Sequence, residues 1–214
     1  MNVIYTAIFG DYEELKEPRI ITPGWRYICY TDQPFKSKVW EIYRAFNDNK
    51  ENSYESRNIK INWVDQFNKS IWIDGSFTIN CDLNEFWEKN FVSPFTVVQH
   101  PIRNCWFQES LISINHNRGN AEEVMNQQQK YLDEGLPMGS GLIQSGILLR
   151  ENTKEVREFC DIWWQQIKLS TRDQIGFAYS EWKLGIKWPR IQMDYRTSKD
   201  FIFKTHKHRR KYEF

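Results

Sequence analysis

The sequence predicts an α/β protein, a β-sheet with helices on both faces, and three observations carry that reading. Short β-branched runs alternate with stretches of helical period. The runs stop abruptly on small or polar residues, as in Phe9-Gly10, Thr31-Asp32 and Asp74-Gly75-Ser76. At 214 residues, with 40% hydrophobic and 27% charged side chains, the chain has the size and composition of one globular domain with a substantial core.

Val3 to Gly10 (VIYTAIFG) is the first strand, Arg26 to Asp32 (RYICYTD) the second and Trp40 to Arg44 (WEIYR) a third. From Ser53 to Phe67, Ile59, Trp63 and Phe67 recur at helical spacing, which leaves Arg57 and Lys60 to other faces. Lys69 to Ser76 (KSIWIDGS) is short, apolar and β-branched, so it reads as a buried strand. Asp82 and Glu85 have capping-box spacing and open a short helix through Trp87. PFTVVQH is a strand ending at His100, and WFQESLISIN and Asn120 to Glu134 are helices. Gly146 to Arg150 is a strand after a glycine-punctuated loop. Asn152 and Thr171 cap two further helices, the first striped by Val156, Phe159, Trp163 and Ile167, the second running to about Leu184.

Composition narrows the function classes. The net charge of +1 argues against a chain that coats nucleic acid; the basic residues concentrate in Lys204 to Lys211. No apolar run is long enough to span a bilayer, and the N-terminus lacks the basic start of a signal peptide, which points to the cytoplasm. Cys29, Cys81, Cys105 and Cys160 show no paired spacing and read as reduced core thiols. Ten Trp, ten Tyr and fourteen Phe serve a core of large side chains or stack on sugars or bases.

In α/β sheets, ligands collect at the carboxyl ends of strands, so the residues there are the candidates. Asp74 would sit on that rim, and Ser76 would project to the same side if the chain stays extended. One carboxylate and one hydroxyl suit a hard divalent cation bridging to a diphosphate, with Gly75 admitting a ligand close to the backbone. A plain Asp-Gly turn explains the same residues. Asp173 opens a helix, either favoured there by the helix dipole or facing a sugar. His100, with Arg103 close by, is a catalytic or a structural histidine. His206 and His208 offer an imidazole to a metal at Asp74, or belong to a solvated tail. Arg57 and Lys60 form a diphosphate clamp or a solvated helix face.

Taken in order, YTAIFGDYEEL, ICYTD, YESRNIKIN, SIWIDGS, QHPIRNCWFQE, GLIQSGILLR, WW and RDQIGFAY resemble the blocks of a family of glycosyltransferases first grouped as a domain of unknown function, with plant members linked to cell-wall polysaccharides. The resemblance runs from Tyr5 to about Tyr179. The length and basic ending also resemble the N-terminal domain of large chlorovirus glycosyltransferases, which would place the chain in a host cytoplasm as part of a longer protein.

The resemblance implies a GT-A fold, a Rossmann-like mixed sheet flanked by helices with a smaller acceptor-side region. The donor-nucleotide half would cover about residues 1–100 and the acceptor half about 101–214. It implies a UDP-sugar donor, a glycan acceptor and a manganese or magnesium ion. Asp74-Gly75-Ser76 stands where the family type has Asp-x-Asp, so Asp74 and Ser76 would hold the metal with His206 as a third ligand. Thr6, Ala7 and Asp32 would contact uridine, and Arg57 and Lys60 the nucleotide with Asp74, Gly75 and Ser76. Arg103, Ser145 and Gly146 would line the donor or acceptor sugar, with Asp173 near the anomeric carbon and His100 as the other catalytic candidate. Retention is the expected outcome, with glucose, galactose or a 6-deoxyhexose such as rhamnose as donor sugar. A metal-dependent hydrolase or nuclease and a non-catalytic carbohydrate-binding module are the alternatives.

Overall fold

The computed structural model describes residues 1–45, 52–63 and 66–204. The strands are β1 Asn2–Ile8, β2 Trp25–Thr31, β3 Glu41–Arg44, β4 Lys69–Ile73, β5 Phe77–Ile79, β6 Phe95–Gln99, β7 Ile143–Glu151, β8 Arg190–Ile191 and β9 Phe201–Phe203. Seven of them form one sheet in the order β3-β2-β1-β4-β7-β6-β8, while β5 and β9 pair as a separate antiparallel ribbon. The strands β3, β2, β1 and β4 run parallel, and β7 lies antiparallel between β4 and β6. The sheet is therefore mixed, and β7 from the later half of the chain completes the sheet begun by the earlier half.

Strand alternation sends successive residues to opposite faces. Val3, Tyr5, Ala7, Trp72 and Leu148 pack on one face with Ile59, Phe159, Trp163 and Phe177. Those partners come from α1 Asn52–Asn62, α5 Lys154–Ile167 and α6 Asp173–Leu184. Ile4, Ile8, Ile71, Ile73, Ile147 and Leu149 pack on the other with Leu83, Phe86 and Trp87 of α2 Leu83–Asn90. Helices thus cover both faces, as the alternating pattern predicts. A third cluster joins Trp106 of α3 Trp106–Asn115 and Val124 and Tyr131 of α4 Ala121–Asp133 to Ile175 and Tyr179 of α6. Most of the large rings lie in these clusters, and each fully buried one stabilises the fold by roughly 2–3 kcal/mol.

Several local expectations change. The helix read from Ser53 to Phe67 ends at Asn62, and Phe67 packs into the core on its own. The α5 cap is Thr153, whose hydroxyl accepts from the Val156 N–H, one residue later than Asn152. Thr171 does not cap α6; Asp173 is its first residue and accepts the next N–H itself. Nor does the chain stay extended past Asp74: Phe77 N–H donates to the Asp74 carbonyl at 3.1 Å and closes a turn into β5. The Asp82 cap is as expected, accepting from Asn84 and Glu85 N–H. The four cysteines are free thiols. Among the described residues, no helix is long and apolar enough to cross a membrane.

Candidate active site

The site is built where the end of β4 meets the first half of β7, beside the start of α6. The Asp74 N–H donates to the Gly146 carbonyl at 2.8 Å, which continues the β4–β7 ladder one residue beyond β4. Position 146 must lack a side chain: a Cβ there would lie 2.8 Å from the Phe77 ring and 3.2 Å from Asp74 Oδ2. Gly75 is equally confined, since a Cβ would come within 2.9 Å of Ile8. Its carbonyl accepts from the Lys16 ammonium at 2.7 Å. The Asp-Gly-Ser turn is thus packed, and the Asp74 side chain is 39% exposed.

Asp74 is held by two groups. The Trp72 indole N–H donates to Oδ1 at 2.8 Å, and the Lys60 ammonium lies 3.1 Å from the same oxygen. Oδ2 has no hydrogen bond among the described residues. Lys60 is 4% exposed and reaches on to Asp173 Oδ2 at 2.8 Å. Asp173 Oδ2 also accepts from the Ser145 hydroxyl at 2.8 Å, and Oδ1 from the Gln174 N–H at 3.0 Å. Burial alone would raise the Asp173 carboxyl, but Lys60, Arg57 and Arg172 outweigh it and hold the group well below the usual carboxylate range. Asp173 is a buried anion.

Arg57 donates to the Ser53 carbonyl at 2.8 Å, while its Nε is buried with no hydrogen-bond partner among the described residues. Tyr12, within electrostatic reach of Asp74, is half-exposed. Partial burial, Glu13 and Asp74 push its phenol up, and Arg57 and Arg118 pull it down. Beyond Asp173, fully buried Glu109 accepts from Arg103 at 2.7 Å and from Arg172 at 3.3 Å. His100 sits in this second cluster. Its Nδ1 accepts from the Arg103 N–H at 2.9 Å, and its Nε2 faces the Arg103 guanidinium at 3.0 Å. Burial and Arg103 push its pKa down to about 4, so the ring is neutral at pH 7.

The structure therefore brings Arg57, Lys60, Asp74, Ser145, Gly146 and Asp173 together. Arg103 and His100 belong to the adjoining Glu109 cluster. Thr6 and Ala7 are buried within β1, the Thr6 hydroxyl without a hydrogen bond among the described residues and the Ala7 carbonyl accepting from the Ser56 hydroxyl at 3.4 Å. Asp32 binds the turn after β1, accepting the Gly10 N–H at 2.9 Å. Ser76 is buried, and its carbonyl accepts from the Lys204 N–H at 2.9 Å. His206 and His208 lie outside the described residues. Sequence reasoning missed Trp72, Glu109 and Arg172. Glu109 was findable, because its spacing from Trp106 and Ser113 sets it on the buried stripe of α3.

Residues 38–208 match the family model described as TOD1/MUCI70, glycosyltransferase-like domain. The chain belongs to this family. The matched span of this glycosyltransferase-like domain includes Lys60, Asp74, Ser145 and Asp173, while Thr6, Ala7 and Asp32 precede it. No curated protein matches the chain. Among solved structures it is similar to the apo form of the WbbM bifunctional glycosyltransferase, at 13% identity and a TM-score of 0.46 over 84% of this chain. The domain spans 36% of that protein's length. It is also similar to apo mouse xyloside xylosyltransferase 1, at 10% identity and a TM-score of 0.44, covering 89% of this chain and 84% of that one.

Proposed function

We propose that the domain moves a sugar from a UDP-sugar to a glycan hydroxyl, with the donor diphosphate lying at the carboxyl end of β4. The observation that carries this reading is the pair of carboxylates joined by Lys60: a rim carboxylate with one open oxygen, and a buried one kept ionised beside it. Arg57 and Arg172 add positive charge around Asp173, and Arg57 and Arg118 around nearby Tyr12, which suits the phosphates of a nucleotide.

A divalent cation, manganese or magnesium, fits Asp74. Its Oδ2 is a hard oxygen donor with no hydrogen bond among the described residues, on a side chain that is well over a third exposed. Among the described residues no three His, Cys, Asp or Glu side chains converge to form a protein-only cage, so diphosphate oxygens would complete the shell. Ser76 and His206 remain the proposed further ligands. The Lys204 N–H is anchored on the Ser76 carbonyl. Such an ion supplies Lewis-acid stabilisation of the departing diphosphate.

Asp173 is poorly suited to take a proton at neutral pH, because its carboxyl is held so far below that range. Its role is to stabilise positive charge at the anomeric carbon, with Ser145 and the Gln174 N–H fixing its orientation. That division of labour is compatible with retention and with a hexose or a 6-deoxyhexose such as rhamnose. His100, neutral and bonded within the Arg103 turn, shapes the neighbouring wall.

The test is a thermal-shift panel of UDP-sugars with manganese and with chelator, since a ligand selective for the folded state raises its melting temperature. The reading expects an upshift with UDP-sugars and metal. An upshift from glycans alone, with none from any nucleotide, would contradict it.

A further inference from the structure

We infer that Lys60 is a resident cation of the cleft, which makes divalent-metal binding at Asp74 depend on the nucleotide diphosphate. The inference rests on the reading of this cleft as the donor site and adds a mechanism of ligand ordering to it.

Lys60 is not placed as a solvated helix lysine. Its ammonium is buried between Asp74 Oδ1 at 3.1 Å and Asp173 Oδ2 at 2.8 Å, with the Trp72 ring centroid 5.3 Å away. The turn of α1 that carries it is pinned from below, because the Tyr5 hydroxyl donates to the Lys60 carbonyl at 3.1 Å. Tyr5 is itself hydrogen-bonded to buried Arg150. An ammonium held this firmly cannot swing away from the carboxylates without breaking both ion pairs.

The consequence is electrostatic. A divalent ion arriving alone at Asp74 Oδ2 would meet a carboxylate whose charge Lys60 already offsets, with Arg57 acting on the neighbouring Asp173. Coulomb repulsion between the ion and that ammonium is strong at such separations in a partly buried site. A diphosphate brings negative charge for both cations and removes the conflict. Metal and nucleotide therefore bind with positive coupling, each raising the affinity of the other by the same factor. In the empty cleft, Lys60 also keeps the two carboxylates from repelling each other.

The experiment reads free manganese by electron paramagnetic resonance, with and without UDP. The proteins are the wild type, Lys60→Met and Lys60→Gln, the last retaining an N–H donor toward the carboxylates if the methionine variant does not fold. Far-UV circular dichroism checks each fold. The wild type is expected to bind manganese alone weakly and at least tenfold more tightly with UDP. A folded Lys60 variant is expected to bind manganese alone at least tenfold more tightly than the wild type, with UDP adding less. Unchanged manganese-alone affinity in folded Lys60 variants would overturn the inference, as would tight manganese-alone binding by the wild type, and UDP binding would leave the donor-site reading standing. A wild type that binds no UDP under any condition would overturn both.

Discussion

Lys60 and Asp173, 113 residues apart in the chain, meet at 2.8 Å with both side chains buried. The contact ties α1 to the first residue of α6 and sets a charged pair beneath the exposed carboxylate of Asp74. Removing one partner of a buried pair strands the other, which typically costs about 3–5 kcal/mol. Lys60→Met is therefore expected to lower unfolding free energy by about that amount, and Lys60→Met with Asp173→Asn to recover part of it. Urea denaturation of both variants checks this; equal loss in the two would show that Asp173 is not the stranded group.

Gly146→Ala is expected to damage the site more than the fold. The new Cβ would meet the end of the Gln144 side chain, which can move, but also the Phe77 ring at 2.8 Å and Asp74 Oδ2 at 3.2 Å. Overpacking of this kind costs about 1–3 kcal/mol. UDP affinity, measured by calorimetry in the presence of manganese, should fall at least tenfold because Asp74 is displaced.

Trp72→Phe keeps a ring in the core but removes the N–H that Asp74 Oδ1 accepts at 2.8 Å. A stability loss of about 1–2 kcal/mol is expected. Nucleotide affinity should weaken severalfold, since Asp74 then rests on Lys60 alone. An unchanged affinity would mean that the indole has no part in aiming the carboxylate.

His100 gives the fold a pH dependence of known sign. Its folded pKa is lowered to about 4, below the unfolded value near 6.5, so the unfolded chain binds the extra proton first as pH falls. Stability should decline between about pH 6.5 and 4, by up to about 3 kcal/mol, and this contribution flattens below that window. Asp173, whose carboxyl is lowered, adds a further loss only below about pH 4. His100→Asn, which keeps an acceptor for the Arg103 N–H, should flatten the upper part of the profile in denaturation series run from pH 7 to 4.

Much of this arrangement was legible in the sequence, for reasons that differ by element. β4 was readable because a buried strand of Ile, Trp and Ile leaves no other role for its apolar run, and Asp74 follows at its end. The turn after it was not separable from a ligand site, because Asp-Gly serves both, and the structure uses it for both a packed turn and an open carboxylate. Asp173 was readable as a helix start, although the cap fell one residue later than Thr171 because the aspartate bonds its own neighbour. β5 and β9 escaped notice because each has three residues and their pairing joins Phe77 to Phe203, beyond the reach of local pattern. The Lys60 ion pairs were hidden for the same reason: helical spacing set Lys60 apart from the apolar stripe, and only the tertiary fold buries it.

Titration calorimetry of UDP with manganese, on the wild type and on Asp74→Ala, tests the placement of the donor site most directly. The wild type should bind with a measurable heat, and the substitution should abolish it while circular dichroism shows an intact fold. Equal affinity in the two proteins would mean that the nucleotide does not lie at the end of β4.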